Sequence, residues 1–178
     1  MSFKAAHALQ LLDRACRGGR LGHAYLICGP REAELETFAV SFLNLVSGSS
    51  FPDLDAWAQS GIAVLRPESR SRRIIIGEPG KGEGVREMER QIHLSVTPGG
   101  HKFAVILDAD RMTEQAQNAF LKTLEEPPAR TLILLTSEQP EQFLPTTLSR
   151  VIRVPLMPEG GVRQLGADEE RLAKVLTR

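Results

Sequence analysis

The sequence predicts an α/β domain of three layers, a parallel β-sheet with helices on both faces. Three observations lead there. The runs "AYLI", "FAVIL" and "TLILLT" are apolar without alternation, as strands covered on both sides must be. Segments of helical periodicity lie between these runs, which implies parallel pairing through right-handed crossovers. Finally, 178 residues, 42% of them hydrophobic and 25% charged, suffice for one well-buried domain.

Taken in order, Ala5, Leu9, Leu12 and Cys16 recur at helical spacing, and Gly18-Gly19 ends that helix. A strand follows at 24–28. Residues 31–46 read as one helix with Leu35, Phe38, Phe42 and Leu45 on its stripe, stopped by "SGSS". Residues 62–65 and 73–76 read as strands and "GEPGKGEG" as a loop. Val85, Met88 and Ile92 mark a helix ending before Thr97-Pro98-Gly99-Gly100. In "HKFAVILDAD" a buried strand ends at Asp108. Thr113 then caps a helix with Glu114 in its first turn and Ala116, Phe120 and Leu124 on its apolar face; Pro127-Pro128 terminates it. "TLILLT" and "VIRV" are the remaining strands, and "ADEERLAKVLTR" is helical. The domain is expected to span 1–157, with 158–178 a short tail.

Lys plus Arg and Asp plus Glu number 22 each, so no overall field draws the chain to nucleic acid or an anionic membrane. No stretch is apolar for long enough to cross a bilayer, and the first residues lack a secretory core, so a cytoplasmic protein is expected. Cys16 and Cys28 both fall on apolar faces, which predicts buried reduced thiols; His7, His23, His93 and His101 show no metal spacing. The single Trp57 and single Tyr25 offer no platform for stacked bases.

The stretch "CGPREAELETFA" carries the functional question. A strand leading through Gly-Pro into a helix is how a P-loop begins, and such a loop reads G-x-x-x-x-G-K-[ST]. Counted from Gly29, the second glycine position holds Glu34, the lysine position Leu35 and the hydroxyl position Glu36. A working loop closes backbone N–H groups around phosphate, neutralises it with lysine and places a hydroxyl on magnesium. Here two carboxylates would approach a polyanion, each close unit pair costing about 4 kcal/mol at an effective dielectric near 20. The same acids suit a ligand-free helix N-terminus, where they favour the dipole. "GEPGKGEG" is no substitute, since Ile75 stands where its first glycine should be and no hydroxyl follows Lys81.

In a parallel sheet ligands gather at the carboxyl ends of strands, and Gly29, Asp108, Thr136 and Arg150 fall at or just beyond such ends. "GRLGHAYLICGP", "AVILDADRMTEQAQNAFLKTLEEPP" and "LILLTSEQPEQFLPTTLSRV", in this order, resemble successive blocks of the delta-prime family of bacterial replicative clamp loaders, which are AAA+ proteins. The resemblance runs from about residue 9 to 155. It implies an AAA+ P-loop-type domain with a degenerate nucleotide site at Gly29, Pro30, Glu34, Leu35 and Glu36. Asp108 aligns with the metal-binding strand end, Ala109 with the catalytic glutamate of an active ATPase, and Thr136 with the first sensor. Ser149-Arg150 aligns with a Ser-Arg-Cys motif whose arginine reaches ATP on a neighbouring subunit; Val151 replaces the cysteine.

The family's zinc module has no counterpart in "FPDLDAWAQSG", so neither zinc nor any other metal or cofactor is expected. The implied partners are the ATPase and clamp-opening subunits of the loader, with DNA met through the complex and no membrane. The resemblance further implies a helical lid and a collar, so that 158–178 is either a short tail or the start of that lid. Outside the resemblance, Arg150 reads as a surface arginine, Glu125-Glu126 as a solvated helix end, and Asp108 and Asp110 as caps or partners of Arg111. The alternatives are a self-contained AAA+ ATPase and an unpartnered nucleic-acid-binding module.

Overall fold

The computed structural model describes residues 2–67, 73–78, 80, 84–94 and 100–158. Five strands, β1 (Ala24–Cys28), β2 (Ala63–Leu65), β3 (Lys102–Ile106), β4 (Thr131–Ser137) and β5 (Ile152–Pro155), form one sheet in the order β2-β3-β4-β1-β5. Every neighbouring pair is parallel. Around it lie α1 (Ala5–Arg17), α2 (Leu35–Ser47), α3 (Leu54–Gln59), α4 (Gly84–Leu94), α5 (Glu114–Glu125) and the four-residue α6 (Pro145–Leu148).

Successive strand residues point to opposite faces, and the two faces build separate cores. Tyr25, Ile27, Phe103, Val105, Leu132 and Leu134 meet Leu12 of α1, Phe38 and Phe42 of α2 and Trp57 of α3. Leu26, Ala104, Ile106, Ile133 and Leu135 meet Val85, Met88 and Ile92 of α4 and Ala116, Phe120 and Leu124 of α5. The three predicted layers are therefore present, and the unalternating strands are explained by burial on both sides.

Four details differ from expectation. Residues 31–46 are not one helix: Arg31–Ala33 form a 3-10 turn, Glu34 is left-handed at φ 50, and only then does α2 begin. Side chains two apart on a helix diverge by about 200°, so Ala33 and Leu35 share a core only because the chain breaks between them. Residues 73–76 form no strand; Ile74 makes an isolated bridge to Met112, its partner being a turn and not a strand. Cys16 is half-buried, the inner face of α1 being Ala8, Leu12 and Ala15; Cys28 is buried, and burial pushes its thiol pKa up. Helix α3 lies where the sequence predicts no element; it has a clear cap, since Asp53 Oδ1 accepts the Ala56 N–H at 2.8 Å, and it delivers Trp57 edge-on to Phe103 with ring centres 5.5 Å apart. The expected helix end at 95–99 and the "ADEERLAKVLTR" helix lie outside the described residues.

Two polar anchors tie loops to this frame. His23 Nε2 lies 2.9 Å from the Leu124 carbonyl oxygen, a structural use of that histidine. Glu87, buried on α4, accepts from Gly80 N–H at 2.6 Å and takes Arg90 in a two-point grip at 2.6 and 2.9 Å. The Gly80 N–H of the glycine-rich segment thus holds an anion, and the anion is Glu87. Arg90 first, then the Gly80 N–H, hold its carboxyl down to about 2. Because the folded value lies below the unfolded one, this contribution is complete above the ordinary glutamate range and is lost as pH falls toward 2. We expect Glu87→Gln to lower the urea midpoint at pH 7 and to flatten its decline between about pH 5 and pH 2. Urea titrations across that range check this; identical slopes for both proteins would refute it.

Candidate nucleotide cleft and arginine site

Strands β3, β4 and β1 are neighbours, so the residues beyond their carboxyl ends converge. Thr136, buried on β4, accepts the Asp108 N–H at its Oγ1, 3.1 Å away, and Gly29 follows β1. A cleft of about 690 Å³ opens here, lined in part by Leu35, Thr136 and Gln139. Its charged lining among the described residues is Glu34, Glu36, Asp108, Asp110 and Glu138 against Arg31, Arg66 and Arg111. Carboxylates outnumber guanidiniums, the wrong balance for a polyphosphate. Asp108 is left-handed at φ 47 and pairs with Arg111 at 3.8 Å, one of the two uses its sequence position suggests. Ala109 is fully buried in the core on the α4–α5 side.

The loop after β1 keeps a trace of P-loop backbone without its side chains. Glu34, at the position the motif gives to its second glycine, is held at φ 50, ψ 55, a conformation that costs most non-glycine residues roughly 1–2 kcal/mol. Its carboxylate caps nothing, and Glu36 occupies the first turn of α2. Leu35, at the lysine position, is only 8% exposed and belongs to the core beneath α2. Gly29 has a packing reason to be glycine: a Cβ there would lie 2.5 Å from the Leu156 carbonyl oxygen.

Ser149 and Arg150 do not line this cleft. They follow α6, which Gln117 fastens to α5. The Gln117 Oε1 accepts from Leu144 N–H at 2.9 Å and Thr147 Oγ1 at 3.3 Å, and its Nε2 donates to the Gln142 carbonyl at 3.3 Å. Arg150 Nη1 donates to the Thr146 carbonyl at 2.7 Å and to Ser149 Oγ at 3.2 Å, while Ser149 Oγ donates to the same carbonyl at 2.9 Å. Arg150 Nη2 pairs with Glu125, the last residue of α5. The Arg150 and Glu125 side chains are 33% and 48% exposed, so the pair contributes no more than about 1 kcal/mol to folding. In the sequence alone Gln117 passes unnoticed and Glu125-Glu126 reads only as a solvated helix end, whereas Glu125 is the ion-pair partner of Arg150. The available signal was Glu125 itself, since a carboxylate in a last helical turn opposes the dipole and calls for a cation.

A parallel sheet in this order, with the loop after β1 and the aspartate after β3 at one cleft, defines an AAA+ domain. The family described as DNA polymerase III, delta subunit, matches residues 4–159, and the chain belongs to the delta-prime family of clamp-loader subunits. It is 43% identical over 126 residues to DNA polymerase III subunit delta' of Escherichia coli, covering 71% of this chain and 34% of that protein. To the delta' subunit of Pseudomonas aeruginosa it is 30% identical over 158 residues, covering 76% and 44%. Among solved structures it is similar to a DNA polymerase III gamma subunit-related protein of Thermotoga maritima, with TM-score 0.64 and 27% identity over 85% of this chain and 47% of that one. The chain thus spans less than half the length of these relatives. No helix of the described residues is long and apolar enough to cross a membrane.

Proposed function

We propose that this chain is a non-hydrolysing subunit of the replicative clamp loader that contributes Arg150 in trans to an ATP site on a neighbouring subunit. The observation that carries the first half is Leu35. The one cation that a P-loop cannot do without is replaced by a side chain committed to the core, so the site has no latent lysine to recruit. The acidic cleft lining and the buried Ala109 point the same way. The second half is supported by the place of Arg150, outside its own cleft and on the surface. An arginine there serves another chain's phosphate better than its own. The implied partners are the ATPase and clamp-opening subunits, with DNA reached through the assembly.

The test of the first half is direct. The chain alone, titrated with ATP or ADP plus magnesium to millimolar concentration, is expected to show no saturable rise in melting temperature and no binding heat. Any ligand that favours the native state must raise stability by mass action. A saturable shift refutes the reading.

A further inference from the structure

We propose that Glu125 is a positioning residue for Arg150, its carboxylate holding the guanidinium in the orientation offered to the neighbouring subunit. The inference rests on the finger reading of Arg150 and deepens it. Among the described residues the guanidinium makes three contacts, and the two that come from its own segment both fall on Nη1. Those two bonds tie the head only to the arginine's own turn. Glu125 ties the other terminal nitrogen, Nη2, to a separate and longer element, the end of α5.

Helix α5 is also what holds α6, through Gln117 and the Leu144 N–H at 2.9 Å. The arginine's backbone and its head are therefore referenced to one twelve-residue helix, although α6 has only four residues of its own. Local preference does not account for Glu125, because the final position of a helix disfavours an anion. Nor does stability, the pair being half-exposed. Orientation is the remaining use. Among the described residues nothing engages the Arg150 Nε–H, and Nη2 has a second hydrogen, so two donors stay available for an anionic oxygen.

The test uses the chain assembled with its partner subunits and primed DNA, comparing Glu125→Ala, Glu125→Gln, Arg150→Ala and the Glu125→Ala/Arg150→Ala double variant. Misplacing a catalytic group by about 1 Å costs on the order of 100-fold. Glu125→Ala is thus expected to lower kcat for ATP by about tenfold to a hundredfold, with KM, assembly and urea midpoint unchanged. Glu125→Gln, whose amide oxygen still accepts a hydrogen bond, should restore part of the loss. In the Arg150→Ala background, removing Glu125 should cost nothing further. Turnover unchanged or raised in Glu125→Ala, while Arg150→Ala is defective, overturns the positioning role and leaves the finger standing; a rise would mean that the carboxylate competes with phosphate. If Arg150→Ala is itself silent, the finger reading fails and the positioning role with it. A loss in the double variant exceeding that of Arg150→Ala assigns Glu125 some other task and also overturns the proposal.

Discussion

Arg150→Ala is expected to leave the chain folded and assembled while removing most of the ATP turnover at the neighbouring site it is proposed to serve. The folded state loses little, because the contacts surrendered are two hydrogen bonds to the arginine's own turn and one partly exposed ion pair with Glu125. The chemistry loses far more. Arginines supplied in trans are worth about 10³–10⁵ in phosphoryl transfer, since they place fixed positive charge where the transition state spreads negative charge. If the proposed assembly has further interfaces with fingers of their own, the measured loss is smaller than the loss at the affected site. Arg150→Lys should rescue poorly, because an ammonium cannot engage the Thr146 carbonyl and Glu125 from opposite nitrogens of one plane. Nucleotide binding and hydrolysis must be measured separately in the reconstituted complex on primed DNA. Normal assembly with unchanged hydrolysis and clamp loading in Arg150→Ala would return this residue to an ordinary surface arginine.

Where burial alone decides structure, the sequence was readable. Strands β1, β3 and β4 are apolar runs because both faces are covered, and α5 was legible from its Thr113 cap, which the structure realises with the Ala116 N–H donating to Thr113 Oγ1 at 3.2 Å. Failures fell where two demands met on a few residues. The 31–46 segment carries enough apolar periodicity for one helix, but the burial of both Ala33 and Leu35 forces a left-handed break at Glu34, and no propensity of glutamate announces it. Ile74 looked like strand because β-branched residues at 74–76 look like strand; its pairing to Met112 depends on a turn placed by tertiary contacts.

The site divides in the same way. What is missing from the P-loop can be counted along the chain, since a motif of fixed spacing needs no tertiary knowledge. The company kept by Arg150 cannot be counted. Glu125 lies 25 positions earlier, and it meets Arg150 because α5, before β4 in the chain, and α6, after it, pack against each other. Gln117 is hidden for a related reason. A buried polar residue on a helix face reads as a flaw until its partners, Leu144, Thr147 and Gln142, are brought to it by a turn that follows β4.

Rebuilding the loop is expected to give at most nucleotide binding, and placing a glutamate at Ala109 is expected to destabilise the domain strongly. In Glu34→Gly/Leu35→Lys/Glu36→Thr, the glycine relieves the left-handed strain at φ 50 and regains roughly 1 kcal/mol. The lysine gives up the burial of Leu35, about 1.5–3 kcal/mol, partly offset if its stem lies along the core edge and its head reaches the cleft. Two carboxylates leave the cleft and a cation enters it, so phosphate is no longer repelled. Turnover should nevertheless stay at background if Ala109 stands, as the family resemblance implies, at the position of the catalytic base, since the attacking water is then left without one. Ala109→Glu does not cure this. The alanine is completely buried in the cluster that includes Ile106, Ala116 and Phe120. A glutamate there overfills a packed core and strands a carboxylate in it, at a cost of roughly 3 kcal/mol or more against a total stability of about 5–15 kcal/mol. Urea midpoints and phosphate release for the single, triple and quadruple variants separate these effects. A triple variant that hydrolyses ATP would place the catalytic position somewhere other than Ala109. A quadruple variant that stays folded and turns over would show that the core yields where its packing says it should not.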